Sequence, residues 1–319
     1  MFRHPALKLL LGLFLVGGVG YALWLSWHDP KLADFEWQFH PLPIALGFVV
    51  MLASSIMTAP LWLIVFHGLG GRIDPRAGIR IFLVTNIGKY LPGKVMHAAG
   101  RVALLQERGQ PVTIGVTSVL VELALSLLGA ALVSVISIPL LIPQLATVLP
   151  PDQSSWIIDH LAWISWASYL ALPLGLVGLH PRVMGPVLRF ASKHLPGRSA
   201  ELSTELPPYR TILLLLVAYV ALWVTMSIAL FATSHTVVDA LDWSHLPAIS
   251  GIAALSYLFG LAVPIAPAGI GAREGLMSLL LSTMMPAPAA IVTSILYRIV
   301  SISAEMLAAG LSILLARGR

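Results

Sequence analysis

An all-α integral membrane protein, with six transmembrane helices plus two re-entrant helical hairpins in an inverted repeat, is the fold class that the sequence predicts. Three observations lead there. Of 319 residues, 58% are hydrophobic and only 10% are charged, and the mean hydropathy is +0.89; water-soluble domains do not have this composition. Two apolar segments are broken in the middle by proline and glycine, at Pro92-Gly93 and between Pro264 and Gly271. Lysine and arginine also collect in alternate connections, the bias that sets orientation in a membrane.

The N-terminal stretch carries Arg3, His4 and Lys8 before an apolar run that reaches Trp27. That run is long enough to span, and Trp24-Leu-Ser-Trp27 offers no small-residue cleavage site, so it reads as an uncleaved first span. Further spans are expected at about 42–66, 111–138, 156–179, 210–232 and 289–316. The connection 180–210 holds Arg182, Arg189, Lys193, Arg198 and Arg210, and Val187, Leu188, Ala191 and Leu195 share one helical face within it. A short basic helix lying on anionic headgroups and an ordinary charged loop are equal readings of that stretch.

The first broken segment has arms from Ile79 to Leu91 and from Lys94 to Gln106. Each arm covers about 20 Å at roughly 1.5 Å per residue, short of a hydrocarbon core of about 30 Å. Two such arms meeting at Pro-Gly predict a hairpin that enters and leaves on one side. Irregular backbone at that depth persists only where protein or a cavity surrounds it. Residues 247–285 repeat the design, with a short second arm from Ala272 to Met285.

Placing 1–8, 67–80, 100–110, 180–210 and 317–319 in the cytoplasm gathers 14 of the 19 Lys and Arg there, with both termini inside. Lys31 falls on the other side, and Lys89, Lys94, Arg273 and Arg298 fall within the membrane. At an offset of 176, Thr117-Ser-Val-Leu-Val-Glu-Leu123 aligns with Thr293-Ser-Ile-Leu-Tyr-Arg-Ile299, and Gly93 falls on Gly269. The expected organisation is one membrane domain over 1–319, built of half A (about 1–142) and half B (about 156–316) in opposite topology. Inverted repeats with broken helices are a transporter architecture.

The polar residues of the broken segments are the candidates for binding. Lys94, His97 and Arg101 form one stripe on the second arm, and Asn86 and Lys89 sit one turn apart on the first. A helix beginning at the break directs free N–H groups and a positive dipole end into the membrane, which with Lys89 and Lys94 makes an anion site for phosphate or carboxylate. The competing reading has the lysines snorkel to the surface as anchors, and it fits Arg101 best, because that residue lies low on its arm. Arg273 and Glu274 open the second short arm; a local or cross-hairpin ion pair competes with binding there. Glu122, Arg298 and Glu305 are intramembrane charges that pair or gate. Pseudo-symmetry leads to the expectation that Glu122 and Arg298 pair in one transport state, with Lys89 or Lys94 as the rival partners of Glu122.

Several chemistries are excluded. No cysteine is present, which removes disulfides, thiolate catalysis and cysteine metal sites. The sequence has no metal-ligand cluster, nucleotide loop or nucleophile elbow, so neither a cofactor nor a catalytic residue is expected. Positive-inside topology accounts for the net charge of +5 without nucleic acid.

The stretch Asn86-x-x-Lys89-Tyr90-Leu91-Pro92-Gly93-Lys94, followed by Gly100-Arg101, resembles the signature of the lysylphosphatidylglycerol synthase transmembrane family, flippase-like proteins also called UPF0104. Pro267-Ala-Gly-Ile-Gly-Ala-Arg273-Glu274-Gly275 is similar to its second motif, and Tyr297-Arg298 and Glu305 fit its final helix. Ala268 stands where glycine is usual, and Met96-His97 where an aromatic is common. The resemblance implies a multi-pass bacterial inner-membrane protein whose partner is an anionic lipid, of phospholipid or polyprenyl-phosphate type, moved between leaflets. It also implies a possible separate transferase partner. The chain stops at Arg319, so the expectation excludes the soluble aminoacyl-transferring domain and its synthase activity. A membrane-embedded lipid or glycosyl transferase, a scaffold for one, and an ion-coupled carrier of a small anion are the alternatives.

Overall fold

The computed structural model describes residues 39–90, 96–148, 160, 163, 166, 169–170, 172–194, 206–238, 241–263 and 269–317. Every element among them is helical. The expected first span, most of the span at 156–179, and the turn holding Lys94 lie outside the described residues.

In chain order the helices are α1 (Pro41–Gly68), α2 (Pro75–Asn86), α3 (Met96–Gln106), α4 (Val112–Val148), α5 (Pro181–His194), α6 (Tyr209–Ser234), α7 (Leu246–Ala262), α8 (Ala272–Leu281) and α9 (Ala287–Arg317). Local chemistry sets several ends. Asp74 caps α2 by accepting from the Ala77 N–H at 3.0 Å, with Pro75 in the first turn; a proline there gives up only an N–H that has no helical partner. After Asn86 the backbone tightens into a 3₁₀ turn over Ile87–Tyr90, as helices often do at their ends.

Among the described residues, five helices are long and apolar enough to cross a membrane: Pro41–Gly68, Val112–Leu141, Tyr209–Ser234, Trp243–Ala262 and Ala287–Leu315. Four coincide with expected spans. The fifth is the first arm of the second broken segment, which the 3₁₀ turn Trp243–His245 extends ahead of α7. Helix α4 also runs past its expected end, through Pro139 and Pro143 to Val148. A proline removes one backbone donor, and membrane helices tolerate that loss where neighbouring groups re-satisfy the backbone. The basic connection is a helix over α5, with Val183 and Val187 exposed on it.

The residues form two compact units, and neither is a successive half of the chain. Unit 1 draws on Met1–Met51, Val133–Ala167 and Val224–Ile302; unit 2 draws on Leu52–Leu132, Ser168–Trp223 and Ser303–Arg319. Helices α1, α4, α6 and α9 contribute to both. In unit 1, small residues let backbones approach, as is common between membrane helices. Gly47 faces the Ala229 carbonyl, and Gly251 faces Ser137, whose hydroxyl donates to the Pro247 carbonyl at 2.6 Å. In unit 2, Trp62, Phe66, Ile81, Phe82 and Leu105 form one buried cluster, and Val121, Leu125, Ile212 and Leu216 belong to another.

Candidate functional site

Unit 2 contains the first broken segment. Its arms, α2 with the 3₁₀ turn and α3, meet so closely that a Cβ on Gly88 would lie 2.8 Å from the His97 nitrogen. His97 is half-buried and Asn86 closes α2.

Arg101 is only 1% exposed. Its Nη1 donates to Glu122 Oε2 of α4 at 2.5 Å, and its Nε to Thr85 Oγ1 at 3.5 Å. The guanidinium also lies 4.1 Å from the Phe82 ring centre and 5.0 Å from that of Trp62. Weakly hydrated guanidinium faces stack on aromatic rings while the edge keeps its in-plane donors. Trp62 in turn donates to Ser118 Oγ at 3.1 Å, one helical turn before Glu122. This corrects the snorkelling expectation for Arg101. Its arm is short, but the arm is packed against α1, α2 and α4, so a neutralised and stacked cation stays inside.

Lys89 and Tyr90 hold a second carboxylate. Lys89 Nζ donates to Glu305 Oε1 at 2.7 Å, and the Tyr90 hydroxyl to Oε2 at 2.9 Å. Lys89 remains 31% exposed, against 12% for Glu305.

Unit 1 contains the second broken segment. Gly269 and Gly271 have φ of +74° and +86°, a region that disfavours side chains. The Gly271 N–H donates to Glu274 Oε2 at 2.6 Å, so a glutamate at the third helical position reaches back to cap α8. Glu274 Oε1 lies 3.2 Å from Arg298 Nε of α9, close enough to pair although not aligned as a hydrogen bond. Arg273 sits with its guanidinium 5.4 Å from the Tyr257 ring centre and 5.8 Å from that of Tyr297. It does not pair with Glu274, and among the described residues no carboxylate reaches it. A cavity of about 260 Å³ adjoins the Glu274–Arg298 pair, walled mainly by Ile270, Ile295, Ile299 and Ile302.

Glu122 and Arg298 thus each have a partner from the broken segment of their own unit. The pairs have opposite order: the short arm supplies the cation to Glu122 and the carboxylate to Arg298.

A family model described as the lysylphosphatidylglycerol synthase TM region matches residues 7–309. The chain belongs to that family. The match takes in both broken segments, Glu122, Arg298 and Glu305, so this member of the lysylphosphatidylglycerol synthase transmembrane family is a multi-pass membrane protein of a lipid-related group. No curated protein matches the chain. Trp62, Phe82, Thr85 and Tyr257 were not legible as site residues in the sequence. They lie far along the chain from, or on a different arm than, the cations they meet, and no spacing rule links an aromatic on one helix to an arginine on another.

Proposed function

We propose that this protein moves a lipid with an anionic headgroup, of phospholipid or polyprenyl-phosphate type, between the leaflets of the bacterial cytoplasmic membrane. One observation carries the reading: beside each break lies a cation that is either partly exposed, as Lys89 is, or without a carboxylate partner among the described residues, as Arg273 is. Arg101 and Arg298 are committed to buried carboxylates. Lys89 is partly exposed, and Arg273 has its faces toward two tyrosine rings with no carboxylate partner among the described residues. A guanidinium stacked in this way still presents edge donors suited to a phosphate. The isoleucine-walled cavity one residue from Arg273 suits an acyl chain. Lys94, beside the first break, is the further phosphate ligand, and His97 and Asn86 line the same arms. Each of the three carboxylates Glu122, Glu274 and Glu305 neutralises a cation, so none of these three is a free base for a transferase.

Under this proposal both broken segments are re-entrant and the halves form an inverted repeat. The sign-reversed ion pairs, each joining the short arm of a broken segment to the helix that follows it, support that layout. Single cysteines have no background in this chain. Cysteines replacing Arg76, Arg108 and Lys193 are expected to react with an impermeant thiol reagent only from the cytoplasm, and those replacing Asp152 and Asp239 only from outside. Labelling of positions 76 and 108 from opposite faces would make the first segment a full span.

Lipid movement is tested by reconstitution into liposomes carrying leaflet-selective phosphatidylglycerol probes. Lys89→Gln is expected to lower transfer about tenfold or more, since a charge-assisted hydrogen bond contributes roughly 1.5–3 kcal/mol, with expression retained. Wild-type transfer by that variant would assign Lys89 to anchoring.

A further inference from the structure

Of the three Lys or Arg ion pairs among the described residues, Arg101–Glu122 and Arg298–Glu274 are largely buried on both sides, with side-chain exposures of 1% and 16%, and 11% and 11%. The Lys89–Glu305 pair differs. Its cation is 31% exposed, and both carboxylate oxygens are taken, one by the Lys89 ammonium and one by the Tyr90 hydroxyl. Two donors gripping the two oxygens of one anion is the arrangement that a phosphate oxygen pair would also satisfy. The donors are consecutive residues next to the break, whereas the acceptor comes from α9, more than two hundred residues away in sequence. The Lys89 ammonium also lies 5.4 Å from the Tyr90 ring centre, a contact between the two donors that does not involve Glu305.

We infer that Glu305 is an internal stand-in for the substrate: its carboxylate occupies a Lys89–Tyr90 anion subsite, and a phosphate-bearing ligand binds there by displacing it. The inference rests on the lipid-moving reading above and adds Tyr90 as a second ligand and Glu305 as a competitor. Exchange of one anion for another leaves Lys89 paired throughout. An empty subsite would instead strand a cation in the membrane, at a cost that bare binding would have to recover. Release of the ligand returns Glu305 to Lys89, and while the ligand is bound the displaced carboxylate turns to water or takes up a proton. The stand-in also gives selectivity: a headgroup with no anionic oxygen pair cannot replace a carboxylate at two donors, and the phosphodiester of phosphatidylcholine brings a fixed ammonium that the Lys89 charge repels, whereas the phosphodiester of phosphatidylglycerol brings no opposing cation.

The test is calorimetric binding of short-chain phosphatidylglycerol, short-chain phosphatidylcholine and inorganic phosphate to the full-length protein in detergent. Glu305→Gln removes the competing charge and is expected to tighten phosphatidylglycerol binding about tenfold, the scale of one charge-assisted contact, with phosphatidylcholine unchanged. Glu305→Asp keeps the charge and shortens its reach; it is expected to tighten binding severalfold and covers the case in which the glutamine variant misfolds. A gain for phosphatidylglycerol alone identifies the lipid headgroup as the displacing anion. An equal gain for inorganic phosphate identifies the phosphate itself; both outcomes support exchange. Binding by the folded Gln or Asp variant that is no tighter than wild type overturns the stand-in. If Lys89→Gln meanwhile abolishes lipid transfer, the transport reading survives that failure. If Lys89→Gln transfers lipid normally, the transport role of Lys89 falls separately.

Discussion

Replacing Glu122 by glutamine is expected to destabilise the protein by about 3–5 kcal/mol, the cost of leaving one member of a buried ion pair without its partner. The orphan is Arg101, 1% exposed between Phe82 and Trp62. Removing the cation instead, by Arg101→Met, is expected to cost less. An unpaired carboxylate can take up a proton and become neutral, whereas a guanidinium cannot shed one, and Glu122 is the more exposed partner at 16%. The Glu122→Gln, Arg101→Met double variant should therefore fall close to Arg101→Met alone, recovering much of the loss. Thermal unfolding of the four proteins in one detergent measures the cycle. Strict additivity of the single losses would show that the two side chains are not coupled.

Gly269→Ala is expected to have a comparably large effect, by a different route. Gly269 has φ of +74°, where an alanine costs about 1–2 kcal/mol. Its new Cβ would also lie 2.9 Å from Gly260 Cα, a contact with backbone, which cannot rotate aside. Gly260 answers with its own close approach: a Cβ there would meet Arg273 Cβ at 3.0 Å. The whole break has to open to admit a methyl group, and opening it moves Arg273 away from Tyr257 and Tyr297. The expected result is loss of lipid transfer together with a lower unfolding temperature. Gly275→Ala serves as the control, because nothing lies within 4 Å of a Cβ at that glycine. Equal behaviour of the two variants would remove the steric argument.

Much of the fold was legible because proline, glycine and charge act locally. The broken segments could be placed from Pro92-Gly93 and from Gly269 and Gly271, and the spans at 42–66, 210–232 and 289–316 correspond closely to α1, α6 and α9. The end of α4 was not legible. Pro139 and Pro143 read as a loop by composition, and their place inside a helix depends on neighbours that sequence does not name. The site divided in the same way. That Lys89, Arg101, Glu122, Arg273, Glu274, Arg298 and Glu305 are unusual could be seen from their charge in apolar surroundings. Which of them meet could not. The stripe of His97 and Arg101 on α3 defines a face without saying what that face packs against. Equivalence under the repeat relates Glu122 to Arg298 but does not name their partners, which the short arm of each broken segment supplies.

The reversed order of the two buried pairs bears on how such a chain can drift. A neutral step at position 101 or 122 alone passes through a protein with one stranded charge, and the same holds at 274 and 298. Paired changes are therefore the easier route at these sites, although exchange of both signs at once would forfeit the cap that Glu274 gives the Gly271 N–H and the packing of Arg101 on Phe82 and Trp62. Two such pairs stand in one chain with opposite polarity, so each broken segment is tied to its following helix by charge neutrality and not by one fixed sign, and a change at either residue costs least when its partner follows.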